Sequence, residues 1–255
     1  MVTKAHGRIL FWEGASLWVL RAPAGEQYPK TDVHAHHLVQ LTLALTEQVE
    51  IDCDGERFFG SAIAIAPDAP HAFEGKGLVA HLFVDPDGQP GRALVRRLFA
   101  QGCIASLPAD ELGDLPARLR AAFEDRPRTD ADLCALGQAL VARLAGGTVV
   151  GAYDPRIKKV IGWLKARLDQ PVSLNEVASL VRLSPGRTRH LFVAQTGLPF
   201  RTFLLWLRLV RAVELFAAGT SLTEAAHSAG FSDSAHLSRT FRRMFGIAAA
   251  SLRVS

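Results

Sequence analysis

Cysteine is scarce in this chain, and its three residues, Cys53, Cys103 and Cys134, are far apart with no Cys-x-x-Cys pair. That rules against a disulfide framework or a zinc finger, and each reads most simply as a small buried hydrophobe. Long apolar runs are absent too. No stretch of about 18 apolar residues could span a bilayer, and Glu13 and Arg21 interrupt the N-terminal apolar segment where a signal peptide would need continuity. The expectation is a cytoplasmic protein without a membrane partner. With 255 residues, 49% of them apolar and 21% charged, the chain can bury a substantial core and divide into two domains.

Acidic residues are few in the last part of the chain. Residues 154–255 carry 15 Lys and Arg against 6 Asp and Glu, a net of +9, whereas residues 1–153 carry 14 against 19, a net of −5. Basic charge confined to one domain is the footprint of a polyanion binder, because each cation set on a phosphate releases counterions.

Residues 8–84 read as β-structure. Ile9–Trp12 and Leu17–Leu20 flank Glu13-Gly14 as a hairpin. Val49, Ile51 and Cys53 alternate with acidic residues, and Asp54-Gly55 turns the chain into Arg57–Phe59. Runs at 62–66 and 79–84 complete a small barrel or sandwich. From Gly91 the period becomes helical: Leu94, Val95, Leu98 and Phe99 form one stripe, and Leu133, Leu136, Leu140 and Leu144 another. Such stripes cover a core or pair with a second copy. Gly146-Gly147, Gly151 and Asp154-Pro155 mark a linker. The expected domains are 1–150 and 151–255.

The C-terminal half repeats itself at a spacing of 48 to 49 residues. Ser173-Leu-Asn-Glu-Val-Ala matches Ser221-Leu-Thr-Glu-Ala-Ala, and Ser184, Phe192 and Gly197 correspond to Ser232, Phe241 and Gly246, with the second copy one residue longer between its serine and phenylalanine. Ser173 with Glu176 and Ser221 with Glu224 predict capping boxes. Ala178 and Ala226 allow close helix approach, Gly230 suits the left-handed turn residue, and Arg182 must adopt that backbone in the first copy. Ser184 and Ser232 are expected to cap the second helix of each copy. These are two helix-turn-helix units, at about 173–197 and 221–246. In the first, Leu191 with Val181 and Leu183 faces inward and Gly186, Arg187, Arg189 and His190 face outward. In the second, Leu237 and Phe241 face inward, leaving Ser234, Ala235, His236 and Arg239 outside. Such helices fit the major groove, where Arg can bond guanine bidentately, while Arg242 and Arg243 suit phosphates. Residues 200–218 read as one connecting helix.

Asp154-Pro-Arg-Ile-Lys-Lys, Thr196-Gly, Phe203-Leu-Leu-Trp-Leu-Arg-Leu, Ala229-Gly-Phe-Ser-Asp and Ser238-Arg-Thr-Phe-Arg-Arg-Met-Phe-Gly make residues 154–253 resemble the DNA-binding domain of the AraC/XylS family. The resemblance implies an α+β protein, with an all-α C-terminal reader of duplex promoter DNA and an N-terminal domain that controls dimerisation or activity through a small effector. It also implies a homodimer, and contact with RNA polymerase if the protein is an activator. Departures are Thr188, where the family prefers an apolar residue, and Ala249 and Leu252 in place of its usual Pro and Tyr. His34-Ala-His36-His37-Leu-Val-Gln40, followed by Pro70-His71, resembles the cupin barrel that precedes this domain in many members. His34, His36 and His71 fall where cupin enzymes hold a metal, but Gln40 replaces their glutamate. The expected reading is therefore an effector pocket lined by His34, His36, Gln40 and His71, with no enzyme activity, cofactor or metal. The alternative is a metal-dependent cupin enzyme or a metal sensor, with His81 or a water completing the site.

Overall fold

The computed structural model describes residues 5–12, 14–23, 25–124, 129–146, 154–249 and 252–254. These fall into two compact units, Met1–Val150 with Phe241–Ser255, and Gly151–Thr240.

The first unit opens with strands β1 (Ala5–Trp12), β2 (Ala15–Arg21), β3 (Val39–Ala44), β4 (Val49–Cys53), β5 (Glu56–Gly60), β6 (Ala62–Ile65), β7 (Ala72–Gly75) and β8 (Leu78–Val84). Helix α1 (Gln89–Leu98), strand β9 (Ile104–Ser106) and helices α2 (Ala109–Leu112), α3 (Leu115–Glu124) and α4 (Asp130–Leu144) follow. The last strand, β10 (Leu252–Val254), pairs in parallel with β1. Among the described residues the strands form a seven-stranded sheet, β10-β1-β2-β8-β3-β6-β9, and a three-stranded one, β5-β4-β7.

The expected hairpins are present. β1 and β2 pair antiparallel from Trp12↔Ala15 onward, with Gly14 at φ 79° and Glu13 outside the described residues. Asp54 and Gly55 both have positive φ, as the tight β4–β5 turn requires. Strands β3 and β7 lie within the 8–84 segment read as β-structure, without a run assigned to either, whereas β9 and helices α2 and α3 were not expected. β3 does alternate in sequence, Val39-Gln40-Leu41-Thr42-Leu43, but its polar residues are buried like its apolar ones rather than turned to solvent. Val39, Leu41 and Leu43 join the apolar core beneath the helices, as do Leu17 and Val19 of β2 and Ala80 and Leu82 of β8. Their alternates, Trp18, Gln40, Thr42, His81 and Phe83, are buried on the other face, where Phe73 of β7 meets His81 with ring centroids 4.8 Å apart.

Both helical stripes meet this core: Leu94 of α1 is buried in it, with Val95, Leu98 and Phe99 packed against it. Leu133, Leu136, Leu140 and Leu144 of α4 are all buried in this core, so that stripe covers the sheet of its own chain. The expected linker falls mostly on residues 147–153, which lie outside the described residues.

The second unit contains α5 (Pro155–Lys165), α6 (Leu174–Leu180), α7 (Pro185–Thr196), α8 (Phe200–Ala217), α9 (Leu222–Ser228) and the start of α10 (Ser234–Phe245). Asp154 caps α5 by accepting from the Arg156 amide at 2.9 Å. A core of Ile157, Val160, Leu164, Val177, Phe192, Phe203 and Leu207 ties α5, α6, α7 and α8 together. Phe192 is its centre, edge-to-face with Phe200 and Phe203 at 5.8 and 5.2 Å. Leu191 packs against this core with Val181 and Leu183, as expected, and Phe192 beside it is fully buried.

Candidate nucleic-acid interface and interior histidine cluster

Each repeat places a short capped helix before a second helix. In the first, Ser173 and Glu176 complete a reciprocal capping box, with Ser173 N donating to Glu176 Oε2 at 2.8 Å. In the second, Ser221 Oγ accepts from the Glu224 amide at 3.2 Å. The turns then use the left-handed backbone expected: Arg182 has φ 56° and Gly230 φ 80°. A Cβ at Gly230 would collide with the carbonyl oxygen of Leu168, so glycine is needed there on two counts. That carbonyl is also held by Arg208 of α8, whose Nε donates to it at 2.8 Å while Nη2 donates to Gln170 O. Arg208 was invisible as a structural residue because its partners lie about forty positions away.

The second helix begins differently in the two copies. Ser184 Oγ accepts from Arg187 N, as expected. Ser232 does not cap α10: Asp233 does, its Oδ1 accepting from His236 N at 2.6 Å, while Ser232 Oγ donates to the other carboxylate oxygen. That backbone hydrogen bond, reinforced by Ser232, holds the Asp233 carboxyl below the usual range. The extra residue of the second copy lies between its serine and its phenylalanine, and the cap here has moved one position past the serine.

Gly186, Arg187, Arg189 and His190 are all exposed on α7. On α10, Ala235, Arg239, Arg242 and Arg243 are exposed and Ser234 and His236 half-buried. Leu237 and Phe241 are buried, as expected. Thr188, the polar departure, is buried but satisfied, donating through Oγ1 to Ser184 O at 3.0 Å. Helix α8, 18 residues and about 27 Å long, packs against α7 and α9.

In the first unit the expected pocket residues do come together, but as packed side chains. His34, His36, Gln40 and His71 are all at most 8% exposed. Gln40 Oε1 lies 2.9 Å from His36 Nε2 and 3.2 Å from His71 Nε2, and Gln40 Nε2 donates to Thr42 Oγ1 at 2.9 Å. His34 and His71 each place Nδ1 2.9 Å from a backbone carbonyl, of Asp32 and Ala69, which makes Nδ1 the protonated nitrogen in both. Burial pushes the His36 pKa down to about 4 and that of His81 to about 3, and His34 and His71 shift the same way for the same reason. All four rings are neutral at pH 7.

The end of α10 belongs to this unit and covers the cluster. Phe245 lies 4.7 Å from Trp18, 5.4 Å from Phe83 and 6.3 Å from His36 between ring centroids. Arg242 donates to Asp32 at 2.6 Å, Asp32 N donates to Gly246 O, and a side chain on Gly246 would strike His34. Sequence periodicity assigned Phe241 and Arg242 to the helical domain alone; no local signal could pair them with residues some 210 positions earlier.

Residues 177–254 match a helix-turn-helix domain family. The HTH-type transcriptional regulator GbdR of Pseudomonas aeruginosa is 30% identical over 100 residues, covering 39% of this chain and 27% of GbdR. The HTH-type transcriptional activator RhaS of Escherichia fergusonii is 39% identical over 102 residues, covering 39% of this chain and 36% of RhaS. The chain thus spans roughly a third of the length of these relatives. ToxT of Vibrio cholerae shares the fold along nearly the whole chain, with a TM-score of 0.57 over 94% of this chain and 96% of ToxT at 10% identity. Its structure with an unsaturated fatty acid bound matches with a TM-score of 0.53, over 93% of this chain and 95% of that one, also at 10% identity.

Proposed function

We propose that this chain, whose residues 177–254 belong to the AraC-type helix-turn-helix domains, is a sequence-specific DNA-binding transcription regulator controlled by a small effector in its β unit. The observation that carries the reading is the doubled unit itself: two short capped helices, each followed by a helix that leaves arginine exposed, in a segment of net charge +9. Arg189 and Arg239, with Gly186, Arg187, His190, Ser234, Ala235 and His236 around them, read base edges; Arg243 holds a phosphate, and Arg242 would do so on exchanging its ion pair with Asp32 for the DNA backbone. The protein acts as a homodimer on promoter DNA, and as an activator it would also meet RNA polymerase. Selection of bound fragments from genomic DNA tests this: enrichment of one shared sequence is expected, and recovery of random fragments alone would contradict it.

ToxT has been crystallised with a fatty acid, a carboxylate. The side chains of the histidine cluster here offer hydrogen-bond donors and acceptors, so the effector proposed is a small polar molecule that exchanges hydrogen bonds with His34, His36, Gln40 and His71. Entry at these buried atoms must displace Phe245 and Gly246, and α10 is also the helix that carries Arg239. Phe245→Ala should therefore change DNA affinity without touching a base-reading residue. Unchanged affinity in that variant would separate the cluster from DNA control.

One observation favours a second reading, a metal sensor. His36 Nδ1 is buried with no hydrogen-bond partner, and His34 and His71 hold Nδ1–H on carbonyls, which leaves their Nε2 lone pairs for a ligand. One nitrogen from each of the three rings lies within 4.8 Å of the others. These donors suit a divalent transition ion, which three imidazoles and the Gln40 amide oxygen would hold. Stoichiometric metal in protein purified without chelators, lost in His36→Ala, would favour it; metal-free protein that still regulates would exclude it.

A further inference from the structure

Two of the three cysteines, 50 residues apart in sequence, bring their sulfurs to 3.3 Å. Their settings differ. Cys53 closes β4, paired with Glu56 of β5, and its side chain is buried. Cys103 is exposed, and its backbone is fixed where its carbonyl accepts from Ala66 N at 2.8 Å, one residue before β9 pairs with β6. Strands on both sides hold this approach, so it does not depend on the rotamers of a mobile loop. No other feature of the chain requires the pair: neither cysteine belongs to the apolar core beneath the helices, to the histidine cluster or to the DNA-facing helices.

The geometry points to an oxidative modification site in which Cys103 reacts with a hydroperoxide and Cys53 resolves the product into an intrachain Cys53–Cys103 disulfide. The division of labour follows from exposure. Burial and the neighbouring Cys103 push the Cys53 thiol up to about 12, which keeps it protonated and unreactive toward oxidant in solution, whereas Cys103 is open to water. The thiolate of Cys103 attacks one peroxide oxygen; the O–O bond breaks, the distal oxygen leaves and is protonated to water, and Cys103 becomes a sulfenic acid. The sulfur of Cys53 then attacks the sulfenyl sulfur. The S–S bond forms as the S–O bond breaks, and the leaving hydroxide takes the Cys53 proton as a second water. Two thiols are oxidised by two electrons and one hydrogen peroxide is reduced to two waters. Closing the sulfurs from 3.3 Å to a bonded distance of about 2.05 Å asks only a small side-chain adjustment.

The crosslink would staple β4 of the three-stranded sheet to the edge of the seven-stranded sheet beside β9. Closing a loop of this length restricts the unfolded chain, so the oxidised protein should unfold at a higher temperature. A thiol reductant reverses the change, as expected of a redox-responsive pair in a reducing compartment.

The test treats the 255-residue chain with equimolar hydrogen peroxide and reads it by peptide mass spectrometry without reduction. The expected product is a Cys53–Cys103 linked peptide, lost on adding dithiothreitol, together with a rise of several degrees in the unfolding midpoint. In Cys53→Ala the sulfenic acid should persist at Cys103 and be captured by dimedone. In Cys103→Ser, an exposed substitution that leaves the core intact, neither the crosslink nor a dimedone adduct at Cys53 should form. Cys134→Ser should behave as wild type. Absence of the linked peptide in wild type, linkage through Cys134, or crosslinks only between chains would each overturn the proposal.

Discussion

The side-chain oxygen of Gln40 sits 2.9 Å from His36 Nε2, and the same amide donates to Thr42, so one glutamine joins the two sides of a buried polar network. Replacing it by Leu would fill similar volume but leave the His36 N–H without its partner and the Thr42 hydroxyl with His81 Nδ1 alone. Gln40→Leu should therefore destabilise the folded chain by about 2–3 kcal/mol. Denaturant unfolding measures this, and a loss below about 0.5 kcal/mol would mean the network is not held together by this amide.

DNA contacts should separate by type. Arg189→Ala and Arg239→Ala are expected to lose about 1–3 kcal/mol on the selected site and little on random duplex, because each forfeits base-edge bonds. Arg243→Ala should weaken binding to both and lower the salt dependence by about one phosphate contact. Titrations at two salt concentrations on both duplexes decide it; equal losses for all three variants on both duplexes would refute the assignment.

The two turns predict opposite responses to substitution. Gly230→Ala must strain a φ of 80° and drive a methyl group into the Leu168 carbonyl, so a loss of about 2–4 kcal/mol is expected. Arg182→Gly relieves a left-handed arginine at φ 56° and should be neutral or stabilising by up to about 1 kcal/mol. Thermal unfolding of the two variants gives the comparison, and the same sign for both would be inconsistent with it.

Stability should pass through a maximum near neutral pH. Burial opposes the charge on His37, but its hydrogen bonds to Asp87 and Asp68 win and raise its pKa from 6.5 to about 9. A base raised on folding contributes stability that is complete below 6.5 and lost as pH climbs through 9. His36, at about 4, and His81, at about 3, act in the other direction: below 6.5 the unfolded chain binds protons that these folded sites exclude, so stability falls as pH drops. Denaturation midpoints between pH 4 and 10 should show both limbs, and His37→Gln should flatten only the alkaline one.

Local chemistry was legible in the sequence wherever it is decided within a few residues. The doubled serines and glutamates, the Asp54-Gly55 turn, the left-handed positions at Arg182 and Gly230 and the alternation in β4 all depend on neighbours along the chain. The shift from a net of −5 to +9 is likewise a property of composition. Where both faces of an element are buried, that legibility ends. The alternation of Val39-Gln40-Leu41-Thr42-Leu43 in β3 would place its polar side in solvent, whereas helices cover one face and the other turns inward with Gln40 and Thr42. The cap of α10 was expected one residue early, since Asp233 is selected by backbone geometry that a repeat alignment does not contain.

By itself the sequence determined that there are two helix-turn-helix units, where they turn, and that their segment is basic, because caps, turns and charge are short-range properties. Only the tertiary structure decided that the histidines form a closed hydrogen-bonded cluster, that Phe245 and Gly246 cover it, and that Cys53 meets Cys103. Those contacts join residues separated by tens to hundreds of positions, and strand order, which no local pattern encodes, is what brings them together.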